Sequence, residues 1–143
     1  MQTKIEVDAE ILQMSLYCEI IIQILSLHKQ LSLIKLLVFS FIVKNKNKCV
    51  YTSRDTNEIT YKCLSVLSGQ YQNFLEDIPI IIKSIHLLNK NNRISIENSI
   101  ITPVQVVYAT NQIYDKNDFL YKAISESKYI PDKHFMKEVI NNV

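Results

Sequence analysis

Two apolar stretches, about 9–28 and 31–44, are separated only by the joint His28-Lys29-Gln30, and no fold of this chain can leave both in water. In the first, Ser15, Glu19, Gln23 and Ser26 recur every three or four positions and form one narrow polar stripe. The rest of its circumference carries Ile11, Leu12, Leu16, Ile20, Ile21, Ile22, Ile24, Leu25 and Leu27, a wider apolar face than an ordinary surface helix shows. The second carries Leu33, Ile34, Leu36, Leu37, Val38, Phe39, Phe41, Ile42 and Val43, again with little polar surface. Burying a Leu or Ile side chain contributes about 1.5–3 kcal/mol, so leaving several exposed is strongly unfavourable. Either the pair forms the centre of a domain, or another chain covers part of it, with Leu33, Leu37 and Phe41 as the candidate apolar interface. A bilayer offers no third solution. Charges and polar groups interrupt Ile20–Val43 at Gln23, His28, Lys29, Gln30 and Lys35, and the longest uncharged pieces run about ten residues against the ~20 a span needs.

The 143 residues fit one domain, which can bury about 70% of its unfolded surface. A composition of 48% hydrophobic and 21% charged residues is that of a globular chain. The net charge of +2 gives no general attraction to nucleic acid or anionic lipid. Glu6, Asp8 and Glu10 sit where a secretory segment needs an unbroken apolar run, so a cytoplasmic protein is expected. Cys18, Cys49 and Cys63 form no CxxC pair and are expected to be reduced, as small buried hydrophobes.

Gly69 is the single glycine, where an average chain of this length has about ten. Phosphate-binding loops, dinucleotide-binding turns and nucleophile elbows all need glycine where backbone meets ligand, and none of those motifs is present. His28, His86 and His134 are far apart, and His134 with Glu138 is better read as a surface contact than as a metal pair. Glu76-Asp77 reads as a helix end and a cap, not as an acid–base pair. No catalytic residue, cofactor or metal is expected.

Along the chain, Asp8 is placed as the cap of a helix over 9–28, and Ser32 near the start of one over 31–44. Lys44 to Lys48 reads as a charged loop, Cys49–Thr52 as a short strand, and Ser53 as the cap of a helix over about 54–68 that stops at Gly69. Residues 70–77 suggest one or two helical turns. Asp77 and Pro79 suggest a fresh helix start, running to about Lys90. Asn91-Asn92 turns the chain into Ile94-Ser95-Ile96-Glu97, and Asn98-Ser99 turns it back through Ile100-Ile101-Thr102. Val104–Ala109 has strand propensity but also suits a helix. Asn117 is placed as the cap of a helix over 118–127, with Phe119, Leu120, Ala123 and Ile124 on one face, and Pro131-Asp132 opens a last helix. The expected fold is a mainly α, winged-helix-like single domain. Its core covers about 8–103 with a hairpin at 93–103, and 104–143 forms a helical extension.

Lys83, Lys90 and Arg93, the last two flanking the helix–hairpin turn, are candidate contacts to nucleic acid or a partner, and Lys44, Lys46 and Lys48 elsewhere could also touch phosphate; the plainer reading is ordinary solvated charge. Two segments carry a resemblance. The first is Leu27-His28-Lys29-Gln30-Leu31-Ser32-Leu33-Ile34-Lys35, and the second is Ile81-Ile82-Lys83-Ser84-Ile85-His86-Leu87-Leu88-Asn89-Lys90 running into Arg93-Ile94-Ser95-Ile96. In these the chain resembles the small middle components of prokaryotic ABC-three-component defence systems of the Lamassu type. The resemblance implies a winged-helix-like, non-catalytic subunit that joins an SMC-like ABC ATPase to an effector nuclease in antiphage or antiplasmid defence. In that division of labour the partners supply the nucleotide site and the cutting activity, and any DNA contact of this subunit is weak or indirect. The alternatives are a stand-alone winged-helix DNA-binding regulator, which would be dimeric and present 78–90 to the major groove, and a small enzyme of another type.

Overall fold

Capping decides where the first helix begins. In a computed structural model that describes residues 3–45, 59–104 and 119–142, α1 spans Lys4–His28. Its cap is Thr3, not Asp8. The Thr3 hydroxyl accepts from the Glu6 N–H, and the Glu6 carboxylate accepts from the Thr3 N–H at 2.8 Å. This reciprocal pair satisfies two orphan donors, so the helix starts a full turn earlier than the apolar pattern alone implies. Lys29 closes α1 with φ 69°, its N–H bonded to the Leu25 carbonyl.

Two residues of strand follow, β1 (Leu31–Ser32), and then α2 (Leu33–Lys44), capped by the Ser32 hydroxyl. A short helix, α3 (Ile59–Leu64), passes into a 3-10 turn at Ser65–Leu67. Gly69, at φ 77°, breaks the chain there, as its position in the sequence implies. Next comes α4 (Tyr71–Lys90), which is one continuous helix. The separate start expected at Asp77 and Pro79 does not occur, because Pro79 lies inside the helix. A proline here removes the bond to the carbonyl of Leu75, and both residues face solvent, where water can replace it.

The α4 end uses no glycine. Arg93 N–H bonds to Leu88 O and Asn92 N–H to Asn89 O, with Asn92 at φ 59°, which is a Schellman stop with asparagine in the left-handed position. The hairpin follows as β2 (Ile94–Glu97) and β3 (Ile100–Pro103). Asn98 and Ser99 both have positive φ, the I′ geometry whose twist suits adjoining antiparallel strands. Val104 N–H adds one more bond, to Arg93 O. β1 pairs with the outer side of β3, giving a three-stranded antiparallel sheet in the order β1-β3-β2. The tip of the hairpin also holds α2, since Leu33 N–H donates to Ser99 O. The chain ends with α5 (Phe119–Ser127) and α6 (Asp132–Asn142). The fold is thus mainly α with a small hairpin-based sheet, as the sequence implies. The strand at 49–52, the Ser53 and Asn117 caps and residues 105–109 lie outside the described residues.

Most of α1 from Tyr17 onward and nearly all of α2 lie in one core cluster with residues of every other element. α1 is long and apolar enough to cross a membrane by length and composition, yet Tyr17, Ile21, Ile24 and Leu25 on it are wholly enclosed by the protein. The expected division into a core and a carboxy-terminal extension does not match this packing. Leu120, Ala123, Ile124, Phe135 and Val139 are buried in the same cluster. Phe135 stacks on Phe39 of α2 with centroids 5.5 Å apart, and the Thr60 hydroxyl of α3 donates to Ala123 O of α5 at 2.7 Å.

Candidate interaction surface

Antiparallel packing of α1 on α4 leaves one side of the first half of α1 without cover among the described residues. Tyr17 donates to Asp77 at 2.6 Å, Ser84 of α4 donates to the Met14 carbonyl at 3.3 Å, and Glu10 pairs with Lys83. These contacts occupy one face of α1. On the opposite face, Ile5, Ala9, Leu12 and Leu16 are exposed, Ile5 at 81%, Leu12 at 72% and Leu16 at 42%. Their spacing of four, three and four residues is that of a heptad seam, the pattern with which one helix takes another. The seam ends where the enclosed half of the helix begins, at Tyr17.

Beside the seam runs a groove of about 340 Å³ between α1 and the end of α4, lined by Ile11, Met14, Cys18, Leu87 and Leu88 with the polar Ser15, Asn91 and Arg93. Its walls are mostly apolar. Burial pushes the Cys18 thiol above its ordinary range, against the opposing pulls of its bond to Ser84 O and the charge of Arg93, so it rests protonated. Leu87 and Ile82 of α4 are exposed as well.

The structure places the candidates named from sequence as follows. Phe41 is 2% exposed and meets Phe74 edge-on at 5.1 Å, so it belongs to the internal core and not to an interface. Leu33 and Leu37 are partly covered, packed against the same core. α2 is wrapped by its own chain because α4, α5, α6 and the sheet all close on it. Among the described residues, a run of exposed apolar side chains lies instead on the first half of α1. The period of Ile5, Leu12 and Leu16 in the sequence could have located it, but the equally apolar second half masked the difference.

Lys83, Lys90 and Arg93 are all exposed along α4 and the start of β2. They do not form a free basic cluster, since Lys83 is paired with Glu10 and the same elements expose Glu76 and Glu97. Lys44 is drawn inward, with Nζ 2.9 Å from Asp77 and 5.1 Å from the centre of the Tyr17 ring. Lys46, Lys48 and Cys49 lie outside the described residues. Asp77 therefore joins α1, α2 and α4 and is not a helix cap. Its hydrogen bond and charge, added to burial as the main cause, raise the Tyr17 hydroxyl far above its ordinary value.

His28 stacks on Tyr121 at 4.7 Å, and its Nδ1 lies 3.4 Å from the Ser125 hydroxyl. Burial, with a smaller push from Lys128, lowers its pKa to about 4. His86 and His134 are exposed on α4 and α6. Cys63 is buried, as expected of a small apolar side chain. Among the described residues no three His, Cys, Asp or Glu side chains group as metal ligands would. No family model, curated protein or solved structure matches the chain.

Proposed function

We propose that the chain is a non-catalytic, cytoplasmic accessory subunit that docks through the first half of α1 onto a helix of a larger partner. On the resemblance given above, that partner is the SMC-like ATPase or the effector of a three-component defence system. The observation that carries this reading is the exposed heptad seam Ile5, Ala9, Leu12 and Leu16 on a helix whose other half is core. Covering the exposed parts of Ile5, Leu12 and Leu16 contributes roughly 3–6 kcal/mol. A micromolar complex needs about 8 kcal/mol after association costs, so the partner must extend beyond the seam. Ile11, Leu87 and the groove beside them offer that additional surface.

Co-expression with the products of neighbouring genes tests the proposal. Capture by the ATPase or effector is expected for the natural chain. The double substitution Ile5→Glu and Leu12→Glu, at exposed positions, should abolish capture while leaving Tm within a degree or two. A natural chain that always purifies alone contradicts the reading.

A second reading has one observation in its favour. The order α1-β1-α2, then α3 and α4-β2-β3, with strands arranged β1-β3-β2, is compatible with a winged helix. In that layout α4 would enter the major groove and the hairpin would be the wing. Charge weighs against it, because Glu76 and Glu97 share that face with Lys90 and Arg93. If Lys90 and Arg93 alone meet phosphate, the slope of log binding against log salt should be no steeper than about −2 per protomer. A titration with duplex DNA between 50 and 200 mM salt, estimated from that same relation to be the informative range, separates the readings.

A further inference from the structure

Acidic side chains border the apolar seam of α1 on both sides. With Ile5 and Leu12 at d positions and Ala9 and Leu16 at a positions, the bordering e and g positions fall on Glu6, Asp8, Gln13 and Ser15. Glu6 and Asp8 stand on opposite sides of the seam, and both are exposed. Glu6 accepts from the Thr3 N–H in the helix cap and keeps its negative charge there. Among the described residues no cation pairs with Glu6 or Asp8. Glu19, exposed at the next d position, ends the apolar run with a third carboxylate, which accepts from Gln23 at 3.3 Å.

The cations of this region lie elsewhere. Lys83 is held by Glu10, and Lys4 falls at a c position on the outer side of the helix. Arg93 sits at the Cys18 end of the groove. Asp8 is about 15 Å from Cys18 along the helix, beyond the distance over which exposed charges act strongly in physiological salt. A second copy of the seam would bring only Glu6, Asp8, Gln13 and Ser15 to these borders, adding charge of the same sign and no cation. An anionic bilayer is repelled for the same reason. The surface fits a helix that has its own apolar seam with lysine or arginine beside it. Opposite charges at e and g set partner choice and orientation, while each exposed pair adds little affinity by itself.

We propose that the partner helix on this seam is basic, with lysine or arginine meeting Glu6 on one side and Asp8 on the other. The inference rests on the docking function proposed above and adds the chemistry of the partner to it. The probes are two synthetic three-heptad peptides with leucine at a and d, one with lysine and the other with glutamate at e and g. Each is titrated into the isotopically labelled full chain while the amide shifts of residues 4–16 are followed. The lysine peptide is expected to bind at least about tenfold tighter than the glutamate peptide, the gap closing as salt rises from about 50 to 500 mM. Glu6→Gln with Asp8→Asn should shrink that preference at least about threefold. Glutamine in place of Glu6 still completes the capping box, so the helix start is kept. Leu12→Glu should remove the binding of both peptides. Equal affinity for the two, lost in both with Leu12→Glu, would overturn the basic partner and leave the seam as a docking surface. No shift of residues 4–16 with the lysine peptide at about 2 mM, the affinity range of a short seam by itself, would also overturn it, and capture on co-expression would then decide the docking function separately. A dimer in sedimentation equilibrium at low salt, abolished by Leu12→Glu, would assign the seam to a second copy and overturn the proposal too.

Discussion

Asp77 connects three helices through two side chains, one from Tyr17 and one from Lys44. Removing it leaves a phenol and an ammonium partly buried without their partner, and Asp77→Ala should cost about 2 kcal/mol, at the lower end for broken buried pairs because both charges retain some water. Urea unfolding measures this directly. His28 makes stability depend on pH. Its pKa in the fold is about 4, against an ordinary 6.5, so in this interval the unfolded chain binds a proton that the folded chain refuses. Stability is therefore lost as pH falls from about 6.5 towards 4, by up to roughly 3 kcal/mol. His28→Gln should flatten that part of a Tm-against-pH curve. Neither role was legible in the sequence. Asp77 followed by Pro79 carries the signature of a helix start, and only the distant Tyr17 and Lys44 give the aspartate another use. Likewise, nothing near His28 in the chain announces Tyr121 or Ser125.

At the scale of elements, the local rules succeeded where one residue settles the backbone. Asn91-Asn92 and Asn98-Ser99 mark both ends of β2, and asparagine and serine do occupy left-handed conformations there. Gly69 marks a break for the same reason. At φ 77°, with open space around it, it should lose about 1 kcal/mol on substitution by alanine through backbone strain alone. Chemical denaturation of Gly69→Ala reads that loss, and a neutral result would mean the chain relaxes at this point. The local rules failed where tertiary partners decide. β1 is two residues long and exists because β3 lies alongside it, so no periodicity could reveal it. The start of α1 was legible in principle, since Thr3 followed three residues later by Glu6 is a capping box, but the charged opening residues disguise it as a ragged lead.

Over the whole molecule, the two apolar helices meet different fates. α2 and the second half of α1 are sheltered by their own chain, which α5 and α6 complete. Phe135→Ala should accordingly cost about 3–5 kcal/mol, the value for an aromatic in a closed core. A loss near zero in thermal unfolding would mean that α6 is merely appended. The first half of α1 is not sheltered, and the account of function depends on that asymmetry. The sequence shows too much apolar surface for comfort without showing which part stays uncovered, because burial depends on what folds back from a hundred residues away. Amide hydrogen exchange on the chain, alone and bound to its co-expressed partner, tests the central claim most directly. The account predicts that exchange in residues 4–16 slows more than tenfold in the complex. Unchanged exchange there, with protection confined to α4 and the hairpin, would contradict it.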